Sequence, residues 1–204
     1  MTAQSHASPP PRFGAALLAA VVRSQAPAAA TTALFRNQQL ITPRHTTMTT
    51  AHDASHDFDF LHGHWHVANR RLKRRLVGCD DWETFEAVGE CRPILGGVGN
   101  IDSFDTAWGG GYRGMALRLF DRRTQRWSIY WASDRDGVLE PPVTGRFDNG
   151  AGHFEGDDVH AGTPVRARFL WTGITPTTAH WEQAFSVDDG RTWETNWHMR
   201  MTRR

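Results

Sequence analysis

The chain has 204 residues, 39% of them hydrophobic and 11% aromatic, with nine Trp, eleven Phe and a formal net charge of +1. This length predicts one domain, with or without a tail. Residues 1–57 hold four of the 23 basic and two of the 22 acidic residues, which leaves 19 basic and 20 acidic groups for residues 58–204. Such a neutral body excludes a protein that depends on electrostatic attraction to nucleic acid or to an anionic membrane.

The first 57 residues differ in composition from the rest, being rich in Ala, Thr, Pro and Ser. Their one apolar run, residues 13–22, is shorter than the ~20 residues that a membrane-spanning helix needs. Three interpretations are open: a disordered or mis-assigned extension with synthesis starting at Met48, a signal peptide cleaved near residues 28–30, or an ordered segment. We expect the first, with a cytoplasmic domain over residues 58–204. A signal peptide would instead make the protein secreted.

From Gly63 onward, apolar and polar residues alternate in short runs without a helical period, which predicts antiparallel strands. Gly, Pro and Asp-Asn-Gly clusters separate the runs. After the first strand, which begins at residue 63, the predicted strands cover residues 82–92, 98–104, 112–120, 127–131, 143–147, 153–159, 165–171, 178–187 and 192–201. The predicted fold is all-β, a single antiparallel up-and-down barrel of about 8–10 strands that encloses room for one small ligand. A flattened sandwich of the same strands is the alternative.

A basic run follows the start of the first strand. Its members are Arg70, Arg71, Lys73, Arg74 and Arg75. The run suggests a phosphate site, but acidic residues at positions 80, 81, 83 and 86 follow the turn at Gly78. Folded as a hairpin, the two sets lie opposite each other, so we expect charge pairs worth about a few tenths of a kcal/mol each.

Gly63-His64-Trp65 at the first strand, the meander and the basic chain end resemble the lipocalin and fatty-acid-binding superfamily. More closely, a set of short motifs is similar to a bacterial calycin-like family of unknown function. They are Phe58-Asp59-Phe60-Leu61, Gly96-Gly97, residues 185–194 and Asn196-Trp197. The resemblance covers residues 58–204 and implies a lipocalin-like barrel with an inner pocket. It also implies that Arg203 or Arg200 covers Trp65 in a cation–π contact. The long N-terminal extension departs from this pattern.

Strand phase assigns candidate pocket residues. Alternate residues of a strand lie on the same face. Trp131 therefore shares a face with Trp127 and Ile129, and Gln183 shares one with Trp181 and Phe185. In the same way Thr195 and Trp197 share a face with Met199, and Arg113 shares one with Met115. The predicted ligand-binding residues are Arg113, Met115, Trp131, Gln183, Thr195 and Trp197. We expect a small hydrophobic or amphipathic ligand, with Arg113 and Gln183 orienting its polar or acidic end. A closed internal network of these polar groups is the alternative.

The histidines and cysteines suggest functions other than the binding of a small apolar ligand. His62, His64 and His66 share a face opposite Trp65, so we expect them to be solvated and predict no metal site. Cys79 and Cys91 make no disulfide framework and fit a reducing compartment. We predict no cofactor, although a haem-binding barrel with His153, His180 or His198 as axial ligand is an alternative.

An enzyme is the other functional alternative, since the inverted strand phase brings Glu182, Asn196 and His198 into the pocket. Glu182 and His198 are then the candidate acid–base pair of a hydrolase, isomerase or cyclase. Whether exposed apolar surface forms a homodimer is left open.

Overall fold

The computed structural model describes residues 52–204, which form a closed barrel of ten antiparallel strands. The strands are β1 (Gly63–Leu72), β2 (Trp82–Ile94), β3 (Gly99–Thr106), β4 (Tyr112–Asp121), β5 (Arg126–Ser133), β6 (Val143–Asp148), β7 (Ala151–His160), β8 (Thr163–Thr172), β9 (Thr178–Ser186) and β10 (Glu194–Arg203). Each strand pairs with the next along the chain, and β1 pairs with β10 to close the barrel. The predicted all-β up-and-down barrel is confirmed. The predictions for residues 13–22 and for Met48 lie outside the described residues.

One end of the barrel is covered by the segment that precedes β1. Short 3₁₀ turns form over Ala54–His56 and Asp59–Leu61. Phe58 between them is fully buried, with its ring 5.0 Å from that of Trp127 and 4.9 Å from that of Phe147. The indole Nε1 of Trp127 donates a hydrogen bond to the carbonyl oxygen of Ala54 at 2.9 Å. Packing against the barrel therefore begins before residue 58, where the sequence analysis starts the domain.

Trp65 and the chain end complete this closed end of the barrel. Trp65 is opposite Arg203 in the β1–β10 register, and the guanidinium carbon of Arg203 lies 4.4 Å from the indole centroid. Arg203 donates to the carbonyl oxygens of His62, Phe60 and Pro176. Gly63 has a φ of +112°, and a Cβ there would be only 2.8 Å from Nη1 of Arg203. The positive φ favours glycine at this position, and a Cβ would also displace the Arg203 guanidinium group.

Alternation of buried and exposed residues sets the inner face of most strands. On β5 and β9 it follows the predicted phase, since Trp127, Ile129, Trp181, Gln183 and Phe185 are all buried. The outward phase predicted for His64 and His66 on β1 is also confirmed, since both are exposed on either side of buried Trp65. Among the described residues, no helix has the length and apolar character needed to cross a membrane.

Candidate functional site

A cavity of about 370 Å³ lies inside the barrel. Trp65 and Leu61 line it towards the closed end, and Arg71, Trp108 and His160 line it towards the other end, which we call the mouth. Large apolar side chains form most of its wall, including Trp131, Phe169, Trp171, Trp181, Phe185, Trp197, Met199 and Met201. Such a volume and an aromatic wall suit one small apolar molecule, because burial of apolar surface supplies most of the binding free energy in sites of this kind.

Three of the predicted ligand-binding residues line the cavity: Trp131, Gln183 and Trp197. The side-chain nitrogen of Gln183 donates to Oδ1 of Asn196 at 2.9 Å, and Asn196 is fully buried. Trp197 Nε1 donates to Oδ1 of Asn69 at 3.0 Å. The polar groups of β9 and β10 thus belong in part to an internal network, which fixes the orientation of the Trp197 indole in the wall.

The predicted phase of β4 is wrong. Gly114, Ala116 and Arg118 are buried on the inner face, while Arg113 is exposed and pairs outside the barrel with Asp105 at 2.8 Å. Met115 alternates with these inner residues and lies on the outer face. Gly114 has no side chain because the Trp131 indole lies directly against it, where a Cβ would clash with the ring.

The predicted inward position of Thr195 is also wrong. A β-bulge in β10 shifts the register, so that Thr195 pairs with Ala184 and Trp197 pairs with Gln183. The bulge leaves Asn196 between them with its side chain in the interior, and Thr195 does not line the cavity. One inserted residue changes the face on which a side chain lies.

The candidate catalytic pair forms, but outside the cavity. His198 Nδ1 and Glu182 Oε1 are 3.3 Å apart, with their side chains 31% and 39% exposed. The His198 ring lies 5.4 Å from that of Trp82 on the outer face of the sheet. Neither residue lines the cavity, and Asn196 is bonded to Gln183 instead. The inverted phase, on which the catalytic alternative depended, is therefore wrong.

The remaining candidates for metal binding or thiol chemistry are histidines and a cysteine. His153 and His180, proposed as haem ligands, are exposed on their strands. Within residues 52–204 no three His, Cys, Asp or Glu side chains are grouped so as to hold a metal ion. Cys91 lines the cavity, and burial raises the pKa of its thiol to about 12. That thiol stays protonated at neutral pH and is a poor nucleophile.

Arg118 is an inward charge that the sequence analysis did not assign. Its Nη1 is 2.7 Å from Oδ2 of Asp102 and 3.1 Å from Oδ1 of Asn100. Its guanidinium carbon lies 5.2 Å from the Phe58 ring centroid and 5.6 Å from that of Trp171. Both Arg118 Nε and Trp171 Nε1 are buried without a hydrogen-bond partner. The ion pair neutralises the charge, and two donors remain free beside the cavity.

The basic run is divided between the surface and the mouth. Arg71 pairs with Glu83 at 3.1 Å and Lys73 with Asp81 at 3.0 Å, which confirms the predicted charge pairs for these residues. Arg75 has no such partner among the described residues, although both Arg71 and Arg75 line the cavity. Burial lowers the pKa of Arg75 to about 10, and the nearby charge of Arg71 acts in the same direction.

Comparison with known proteins identifies the fold. No protein-family model and no curated protein sequence matches the chain. A solved structure that is similar is the S-type phycobiliprotein lyase CPES from Guillardia theta, with a TM-score of 0.53. The two chains are 8% identical, and the match covers 76% of this chain and 94% of that one. At this identity the similarity is one of fold alone.

Proposed function

We propose that the protein binds one small, mostly apolar molecule inside the barrel. The observation that carries this proposal is the cavity of about 370 Å³ with its wall of Trp, Phe and Met side chains. Sites for small molecules commonly have volumes of roughly 300–1,000 Å³ and an apolar lining with a few fixed polar groups. The free donors of Arg118 and Trp171, together with Gln183, supply those polar groups.

The proposal also includes the protein's family, its location, its partner and the absence of catalysis. Trp65 beneath Arg203 and the motif at residues 185–194 support membership of the bacterial calycin-like family. The neutral body of the domain and its two free cysteines support a cytoplasmic protein whose partner is a small molecule rather than nucleic acid or a membrane. Binding without catalysis is favoured because the Glu182–His198 pair lies outside the cavity.

The proposal is tested by titrating the full chain with N-phenyl-1-naphthylamine, a neutral probe whose fluorescence rises in apolar surroundings. We expect saturable one-to-one binding. Excitation of tryptophan should sensitise the probe, because Trp131, Trp181 and Trp197 line the cavity. A fluorescence rise that increases linearly with probe concentration, without saturation or energy transfer, contradicts the proposal.

A further inference from the structure

Arg71 and Arg75 lie on the same side of the mouth, around the indole of Trp197. The guanidinium carbon of each is 5.5 Å from the Trp197 ring centroid. The Arg75 carbon is also 5.6 Å from the Phe185 ring. Aromatic side chains thus hold two positive charges beside the apolar wall of the cavity, which both arginines line.

The loop between β1 and β2 is fixed in the conformation that turns Arg75 inward. Leu76 has a φ of +61°, and its backbone N–H donates to both carboxylate oxygens of Glu194, at 2.8 and 3.0 Å. The bond joins the loop to the first residue of β10. Arg75 is therefore placed by backbone structure rather than by an ion pair of its own.

The hydrogen-bonding capacity of these two arginines is only partly used. Nε and Nη2 of Arg75 and Nε of Arg71 are buried and have no hydrogen-bond partner. Buried donors of this kind are costly unless an acceptor meets them. Burial, followed by the charge of Arg71, lowers the pKa of Arg75 by more than the charges of Glu194, Glu83 and Asp158 raise it, and none of these carboxylates forms an ion pair with Arg75 in the described part of the chain.

The nearby carboxylates accept hydrogen bonds from groups other than Arg75. Glu83 accepts hydrogen bonds from Arg71 and from Trp108 Nε1, and Glu194 accepts from Leu76. Asp158 Oδ1 accepts from the backbone of Val159. Glu140 also lines the mouth, and burial followed by the charge of Asp158 raises its pKa. The acidic residues Asp158 and Glu140 disfavour an anion near them, whereas Arg71 and Arg75 are the two positive charges that lie against the Trp197 ring.

We propose that the ligand is an amphipathic anion, whose apolar body fills the barrel and whose single oxyanion group binds Arg71 and Arg75 at the mouth. This inference rests on the proposed function and specifies the chemical class of the ligand. A carboxylate, sulfonate or phosphate oxygen supplies the acceptors that the free guanidinium donors lack. The resulting charge-assisted hydrogen bonds form beside aromatic rings, where water competes less than at an open surface.

The test compares two probes that share one aromatic skeleton. N-Phenyl-1-naphthylamine is neutral, and 8-anilino-1-naphthalenesulfonate is the same molecule with a sulfonate added. Both are titrated into the full chain and into Arg75→Met. We expect Arg75→Met to weaken sulfonate binding by about tenfold or more and to change binding of the neutral probe by less than about twofold. Arg75→Lys, which keeps the charge, should retain part of the preference for the sulfonate.

Arg113→Met is the matched control, because it removes the same charge from an exposed site outside the barrel. An equal loss for both probes in Arg75→Met, or an equal loss of sulfonate binding in Arg113→Met, overturns the inference while the proposed function stands. Failure of both probes to bind the unaltered chain overturns the proposed function itself. Loss of the near-ultraviolet circular dichroism signal in Arg75→Met would mean that this variant does not fold. The two probes are then compared on Arg75→Gln and Arg71→Met, and the same outcomes apply.

Discussion

Arg203 connects the chain end to the segment that precedes β1. Its guanidinium group lies 4.4 Å from the Trp65 ring and donates to the carbonyl oxygens of Phe60, His62 and Pro176. Those carbonyls lie outside the strand ladders, so Arg203 satisfies acceptors that the barrel itself does not. From the sequence, either Arg203 or Arg200 is expected to cover Trp65. The register, which places Arg203 opposite Trp65, decides between them.

Replacing Arg203 tests this role. We expect Arg203→Met to lower the free energy of unfolding by about 2–3 kcal/mol, because three charge-assisted hydrogen bonds and a cation–π contact are lost together. Urea unfolding followed by tryptophan fluorescence measures the change. Arg200→Met is the control, since Arg200 is exposed and its replacement should cost less than about 0.5 kcal/mol. Similar losses in the two variants contradict the role assigned to Arg203.

Unlike Arg203, Arg75 is not expected to stabilise the folded chain. Its buried donors lack partners and its charge is repelled by Arg71, so the side chain serves binding rather than stability. We predict that Arg75→Met leaves the free energy of unfolding unchanged or raises it by about 1 kcal/mol. Urea unfolding in the absence of ligand measures it. A loss of about 2 kcal/mol or more would mean that Arg75 stabilises the fold.

The two β4 residues whose predicted faces are wrong, Arg113 and Met115, share a physical cause. Alternation tells which residues of a strand share a face, but not which face is inside. On β4 the apolar residues Met115 and Leu117 favoured the wrong face, because the true inner face carries Gly114, Ala116 and a charge, Arg118. The Trp131 indole explains the glycine at position 114, and Asp102 with Asn100 explains the inward charge of Arg118. A sequence does not show which side chains lie opposite these positions.

At the scale of elements, the strands and turns were largely predictable. Asp148-Asn149-Gly150 forms the turn between β6 and β7, where Asn149 and Gly150 both have positive φ. The β10 bulge was not predictable in position, because no residue near Asn196 marks it. The inward turn of Arg75 was missed for a similar reason, since it depends on the contact between Leu76 and Glu194, 118 positions apart.

The turn between β9 and β10 is held by Asp188. Its carboxylate accepts hydrogen bonds from the backbone and the hydroxyl of Thr192 and from the hydroxyl of Ser186. The backbone bond from Thr192, then its hydroxyl, lowers the pKa of Asp188 from 3.8 to about 2. Ionised Asp188 therefore contributes stability that is fully present above the unfolded pKa and is lost as the pH falls from about 4 towards 2.

Asp188→Asn tests this contribution through its pH dependence. We expect the variant to be less stable than the wild-type chain at about pH 5, and the difference to shrink as the pH falls towards 2. Urea unfolding over this range measures both proteins. Asp189→Asn removes the same charge from an exposed position in the same turn and should show no such convergence. A difference that is constant with pH contradicts the assignment to Asp188.

At the scale of the whole molecule, the two ends of the barrel differ. The closed end is built from Phe58, Trp65 and Arg203, whose polar groups are satisfied by backbone carbonyls. The mouth carries Arg71 and Arg75 with unpartnered donors. The cavity between them is apolar for most of its length. The two ends thus differ in charge pairing: Arg75 at the mouth has no ion pair among the described residues, whereas Arg118, beside Phe58, is paired with Asp102.

The measurement that tests the central claim most directly is the affinity of N-phenyl-1-naphthylamine for Ala116→Phe and Met115→Phe. These neighbours on β4 face opposite sides, Ala116 into the cavity and Met115 outward. Filling the cavity with a phenyl ring should weaken binding by about tenfold or more, while the outward substitution should leave it within about twofold. If both variants fold and bind the probe as tightly as the wild-type chain, the molecule does not bind inside the barrel.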